Sequence, residues 1–224
     1  MKEHLRKVPL FSSLNDEELE WVVRKLIIKK YKKNEIVLLE DDSNSYMYII
    51  VEGEARVTQM SIEGKEFTIA MFQSGEYFGE LSLIDGKTTS ATVTVTKDAT
   101  LALISKENFF SILHTQNKIL DNLLQTLCMR IRGSLETIQM FNQSQAHKRL
   151  IMLFNKLLKQ YGSNTKNGTV LNIRLTHNEI ANMTGLARQT ITKVLDEWKN
   201  DGIINIQNGR FIRLTEKFFK LSLE

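Results

Sequence analysis

The stretch from Thr176 to Leu214, THNEIANMTGLARQTITKVLDEWKNDGIINIQNGRFIRL, leaves this chain few choices of fold. Thr176 with Glu179 is the pattern of a capping box, in which a hydroxyl and a carboxylate satisfy each other's backbone amides and start a helix. Ile180 and Ala181 follow, and Gly185 comes four residues after the alanine. A small residue lets a second helix cross closely, and glycine suits the tight turn between two helices. Ile191 and Val194 return at the spacing of a second buried face, predicting a helix from Ala187 to about Asn200. Beyond it, IINIQNGRFIRL alternates around Asn208-Gly209, the strongest short hairpin signal. Helix, turn, helix and hairpin in this order predict a winged helix-turn-helix.

Groove dimensions then suggest chemistry. A helix fits the major groove of DNA and meets base edges with its N-terminal residues. Here those are Arg188, Gln189 and Lys193. Arg188 can donate two hydrogen bonds to guanine O6 and N7, and Gln189 suits adenine N6 and N7. Lys193, just over one turn on, reaches a guanine or a phosphate. Thr176, Thr190 and Thr192 are candidate phosphate contacts, Thr176 being equally well explained as a cap. Charge agrees: residues 144–224 carry 13 Lys+Arg against 6 Asp+Glu, whereas residues 1–143 carry 17 against 20. Double-stranded DNA is the expected partner of the C-terminal part.

Upstream, from about Lys118 to Phe141, Leu120, Leu124, Leu127, Ile131, Ser134, Ile138 and Phe141 recur in alternating steps of four and three. That is a heptad seam over about three heptads, and it predicts a parallel dimer helix. Ser134 is the polar member, preceded by Gly133, and a glycine inside a helix costs about 1 kcal/mol against alanine. The pair suggests that something approaches closely there. Cys128, beside Leu127, is expected to be a small buried apolar residue. As the one cysteine of the chain, it excludes an internal disulfide and a four-thiolate iron–sulfur cluster.

The N-terminal part changes character along its length. SSLNDEELEWVVRKL (Ser12–Leu26) has helix-start residues followed by apolar positions near helical spacing. From Lys32 to about Ile104, YMYIIVEGEARVTQM, EFTIAMF and ATVTVT are rich in β-branched and aromatic residues. Gly53, Gly64, Gly75 and Gly86 fall eleven residues apart. Short strands punctuated at that interval predict a compact antiparallel roll or sandwich. Within it, FGELSLIDGKTTSATV (Phe78–Val93) reads as a loop for a phosphate, with amides from Gly79 onward, a carboxylate at Glu80 and a hydroxyl at Ser90, but no arginine.

The fold expected is therefore α+β: a β-roll sensor over 1–112, a dimerisation helix over 113–143 and a winged helix-turn-helix over 144–224. This order resembles the family of the cyclic AMP receptor protein and the fumarate–nitrate reductase regulator. The likeness covers nearly the whole chain, through PLFSSLNDEELEWV, GEYFGELSL…SATV and EIANMTGLARQTITKVL. It implies a homodimeric bacterial transcription regulator whose sensor controls its recognition helices. It also implies that the loop Gln160–Gly168 contacts RNA polymerase, a polar connector being the equal alternative. Where the cyclic AMP receptor helix carries arginine, glutamate and a later arginine, this chain has Arg188, Gln189 and Lys193. A neutral amide prefers adenine where glutamate accepts from cytosine, so a shifted half-site is expected.

In the cyclic-nucleotide branch, Gly79 and nearby amides would face the phosphate, Glu80 the ribose hydroxyl, and Ser134 the purine. The arginine that neutralises the phosphate before Ser90 is Thr89 here, and the residue after Ser134, polar in that branch, is Leu135. The resemblance thus offers Gly79, Glu80, Leu81, Lys87, Thr89, Ser90 and Ser134 as an effector set without its main cation. Three readings stand: a cyclic nucleotide held weakly through Lys87 and Ser90, another small effector, or effector independence. The last two are favoured, because burying a phosphodiester without a cation is costly. The alternative function is a cyclic-nucleotide-binding module, acting through Lys87, Glu80, Ser90 and Ser134, whose winged helix contacts protein. No nucleophile–base set or metal-spaced cluster suggests an enzyme, and His4, His114, His147 and His177 share no haem motif. No apolar run approaches the roughly 18 residues of a bilayer span, and MKEHLRKVPLFSSL lacks the apolar core of a signal peptide. A cytoplasmic protein without a membrane partner is expected.

Overall fold

The computed structural model describes residues 1–64, 66–165, 168–207 and 211–221. The chain forms two compact units, Met1–Ile131 and Arg132–Glu224.

The first unit begins with α1 (Lys2–Arg6), a 3-10 turn at Pro9–Phe11 and α2 (Asp16–Val23). Asn15 caps α2 in a reciprocal capping box with Glu18, and the helix buries Leu19 and Val22. The strands are β1 (Ile27–Tyr31), β2 (Ile36–Leu38), β3 (Tyr46–Met60), β4 (Glu66–Gln73), β5 (Tyr77–Phe78) and β6 (Thr92–Ser105), with α3 (Glu80–Asp85) between the last two. They form one antiparallel sheet of order β1-β6-β3-β4, with β2 added to β6 and β5 to β3. The predicted glycine period is visible as geometry, since Gly53, Gly64, Gly75 and Gly86 all have positive φ. At Gly53 a Cβ would lie 2.6 Å from Ala99 Cα, so only glycine lets β3 bend there against β6.

Successive side chains of a strand point to opposite faces, and β3 uses both. Tyr48 and Ile50 enter a core inside the roll with Val93, Val95 and Leu101. Met47, Ile49 and Val51 enter a second core outside it, against Leu5, Phe11, Leu19, Phe109 and Ile112. The latter two come from α4 (Lys106–Thr115), and α5 (Asn117–Phe141) closes the same core with Ile119 and Leu123. The helix α5 continues from the first unit into the second.

The second unit adds α6 (Ala146–Tyr161), β7 (Gly162–Thr165), β8 (Gly168–Arg174), α7 (His177–Thr184), α8 (Arg188–Asn200), β9 (Ile204–Gln207), β10 (Phe211–Leu214) and α9 (Glu216–Leu221). Its sheet has the order β7-β8-β10-β9. Phe154 of α6, Trp198 of α8 and Phe218 of α9 form a triangle with ring centroids 5.9, 6.1 and 6.0 Å apart. Each such pair contributes about 0.5–1.5 kcal/mol beyond its buried area. β9 and β10 pair antiparallel as the alternation predicted, while the Asn208-Gly209 turn lies outside the described residues.

Candidate nucleic-acid interface and sensor site

Thr176 caps α7 as its sequence predicted. Its hydroxyl accepts from Glu179 N at 3.1 Å, and its own amide donates to Glu179 Oε2 at 2.6 Å. The helix buries Ile180, Ala181, Met183 and Thr184, and Gly185 ends it in the left-handed region at φ 67°. A non-glycine residue would be strained there, so the turn into α8 depends on this position. α8 buries Ile191, Val194, Leu195 and Trp198. Arg188, Gln189 and Lys193 are exposed, with Thr190 and Thr192 half-buried. Ala187 precedes the helix without a side-chain cap. The hydroxyl of Thr192 is engaged internally, with Arg188 O at 3.1 Å and His177 Nδ1 at 2.9 Å.

The dimer seam expected on α5 is outward-facing. Leu120, Leu124, Ile131 and Ile138 are 41%, 53%, 61% and 56% exposed, while Leu127 is half-buried against the first unit's core. The opposite face carries Ile119, Leu123 and Thr126, all buried. Cys128 corrects its expectation: it is exposed. Lying four residues after Leu124 and three before Ile131, it shares the outward face with them. Close approach at Gly133 also takes an unexpected form. A Cβ there would meet nothing within 4 Å, but its carbonyl accepts from Lys156 Nζ at 3.1 Å. Burial lowers the Lys156 pKa below its ordinary 10.5, opposed by the nearby charge of Glu136.

The sensor loop is built around glycine and a buried carboxylate. Gly79 sits at φ 84°, where a Cβ would lie 2.8 Å from Tyr46 O. Its carbonyl accepts from Asn44 Nδ2 at 2.9 Å. Glu80 follows at 1% exposure and pairs with a residue that the sequence reading missed. Arg130 of α5 donates through Nη1 to Glu80 Oε1 at 2.5 Å and through Nη2 to Tyr77 O at 2.5 Å. Its guanidinium also lies over the rings of Tyr77 and Phe72, 4.8 and 5.4 Å from their centroids. Glu80 Oε2 is buried without a hydrogen-bond partner.

The other expected effector residues of the first unit, Leu81, Lys87, Thr89 and Ser90, make no hydrogen bond to this pair among the described residues. Thr89 is buried and tied to the 39–42 segment, its hydroxyl donating to Leu39 O and its amide to Asp42 O at 2.9 Å. Leu81, Lys87 and Ser90 are exposed. Ser134 is exposed and belongs to the second unit.

Comparison with known proteins places these features. Residues 28–116 match the model of the cyclic nucleotide-binding domain, and residues 148–217 that of the Crp-like helix-turn-helix domain. The chain belongs to the Crp/Fnr family of transcription regulators. Among Crp/Fnr relatives, the cyclic AMP receptor protein of Thermus thermophilus is 26% identical over 201 residues, covering 90% of each chain. The cAMP-activated global transcriptional regulator CRP of Salmonella typhimurium is 25% identical over 85% of this chain and 90% of its own. A solved structure of a CooA mutant from Carboxydothermus hydrogenoformans superposes with a TM-score of 0.82 at 25% identity, covering 95% of both chains. As a Crp/Fnr member the chain is a DNA-binding transcription regulator with a cyclic-nucleotide-binding-type domain, not an enzyme. No helix among the described residues is long and apolar enough to cross a membrane.

Proposed function

We propose that the protein works as a homodimer that reads DNA sequence through Arg188 and Gln189, anchored by Lys193, without a cyclic nucleotide. The observation that carries the reading is the division of α8. Its Ile191–Trp198 face is buried while its N-terminal polar face is open to solvent, as a major-groove helix requires. Arg188 and Gln189 would take guanine and adenine edges. Lys193 and Thr190 would take neighbouring phosphates. Thr176 and Thr192 would serve the turn mainly through the bonds they make within it.

Dimerisation is supported by the exposed apolar stripe Leu120–Leu124–Ile131–Ile138 on α5, since an unpaired stripe at heptad spacing is stabilised by a second helix. In this reading 1–112 is the sensor, 113–143 the dimerisation segment and 144–224 the DNA-binding part. The exposed strand β7, inside Gln160–Gly168, is the surface offered to RNA polymerase.

For the sensor, two observations weigh against a cyclic nucleotide. Thr89 cannot supply a cation and is committed to the 39–42 segment, and the carboxylate of Glu80 is already paired with Arg130. The site is therefore proposed to be effector-independent or to take a different small effector. Calorimetry with cyclic AMP and cyclic GMP tests this. No heat of binding is expected up to millimolar ligand, and micromolar binding of either would overturn it.

A further inference from the structure

The C-terminal end of α5 and the turn of the helix-turn-helix are joined by one side chain. Arg149, half-buried near the start of α6, donates to three main-chain carbonyls. Its Nε reaches Gln143 O at 2.7 Å, its Nη2 reaches Phe141 O at 3.0 Å, and its Nη1 reaches Thr184 O at 3.1 Å. Phe141 is the last residue of α5 and Thr184 the last of α7. The final carbonyls of a helix have no partner within it, so one guanidinium satisfies the ends of two helices and the link between α5 and α6. Its donors form a rigid planar fork, which fixes the separation of the groups it holds.

The packing agrees with the hydrogen bonds. A Cβ on Gly185 would meet Phe141 Cε1 at 3.3 Å and Arg149 Nη1 at 3.7 Å, so both side chains lie directly against the turn. Three residues later α8 begins with Arg188. Further along α6, Lys156 Nζ donates to Gly133 O at 3.1 Å and Thr137 Oγ1 at 2.7 Å, and Lys159 pairs with Glu136 at 2.7 Å. The helix α6 thus grips α5 from Gly133 to Phe141, and Arg149 passes that grip to the turn that aims α8.

We propose that Arg149 is a positioning residue for DNA recognition. It fixes α8 against the end of the dimer helix and so sets the half-site spacing that the two recognition helices accept. The proposal rests on the dimer reading above. Arg149 acts through the placement of α8, not through a contact with DNA.

The test uses full-length wild type, Arg149→Ala and Arg149→Lys on inverted repeats whose half-site spacing is varied one base pair at a time. A single half-site, a salt series, sedimentation and thermal melting accompany it. Wild type is expected to prefer one spacing by about tenfold, because off-register sites must be twisted or bent to fit. Arg149→Ala should remain a dimer with the same salt slope and the same single half-site affinity, while its preference flattens to within about threefold. Arg149→Lys should fall between the two, since a point-like ammonium cannot span all three carbonyls. If the alanine variant melts early, the lysine variant carries the test.

A folded variant that keeps the wild-type spacing profile would overturn the proposal. So would a uniform loss at every spacing with a salt slope smaller by about one, which would make Arg149 a phosphate contact. A monomeric wild type would overturn the dimer reading and this proposal with it. A dimeric wild type whose sharp preference survives in both variants overturns this proposal alone.

Discussion

Replacing Arg130 by methionine should damage the β-roll more than replacing its partner Glu80 by glutamine. The pair is unequal in burial: the Glu80 side chain is 1% exposed and that of Arg130 31%. Arg130→Met strands a carboxylate in a site it cannot leave, and removing one partner of a buried pair costs about 3–5 kcal/mol. Because a third of Arg130 already meets water, the lower end applies, about 3 kcal/mol. The methionine retains apolar cover over Tyr77 and Phe72 but loses the hydrogen bond to Tyr77 O. Glu80→Gln leaves an arginine that can rehydrate, at about 1 kcal/mol. The double variant, with no charge left behind, should lose only about 2 kcal/mol, so the two residues couple by about 2 kcal/mol. Urea unfolding of the full chain, followed by tryptophan fluorescence and circular dichroism, measures all four corners of the cycle. At about 2–4 °C per kcal/mol for a chain of this size, Arg130→Met should melt about 6–12 °C early. Additive single effects, or an Arg130→Met cost under about 0.5 kcal/mol, would refute the reasoning.

Other outcomes follow from single contacts. Ile131→Glu places a charge on the outward seam and should convert the dimer to monomer in sedimentation experiments, while circular dichroism stays unchanged. Arg188→Ala should cost about 1–3 kcal/mol and relax selectivity at one base position. Lys193→Ala should instead weaken all sequences alike and reduce the salt slope by about one. Burial lowers the Lys156 pKa in the folded state, so its charge is a full cost below that folded value. The cost disappears as pH rises to the ordinary 10.5, so wild type should gain stability relative to Lys156→Met across that window in paired urea titrations; a constant difference would contradict it.

The features legible in the sequence were those carried by local pattern. The capping box at Thr176, the glycine after α7 and the buried spacing of α8 all lie within one short segment, and the structure reproduces them. The exposed apolar stripe of α5 and the glycine period were readable for the same reason. Cys128 was misplaced because its neighbour Leu127 turns towards the core while Cys128 turns outward, a distinction of one position on a helix. Arg130 was missed altogether, because its partner Glu80 lies 50 residues away and nothing local marks the pairing. Arg149 and Lys156 were invisible for a related reason. Both bind main-chain carbonyls, which every residue possesses, so no side-chain type at a telling spacing points to them.

The central claim is that two exposed recognition helices on one dimer read DNA without a cyclic nucleotide. Selection from random duplex DNA by the full-length protein, with no ligand added, tests it most directly. The account predicts recovery of an inverted repeat with half-sites about one helical turn apart, differing from the cyclic AMP receptor protein's half-site where Gln189 reads it. Recovery of no common sequence, of a lone half-site, or of a repeat bound only after cyclic AMP is added would contradict it.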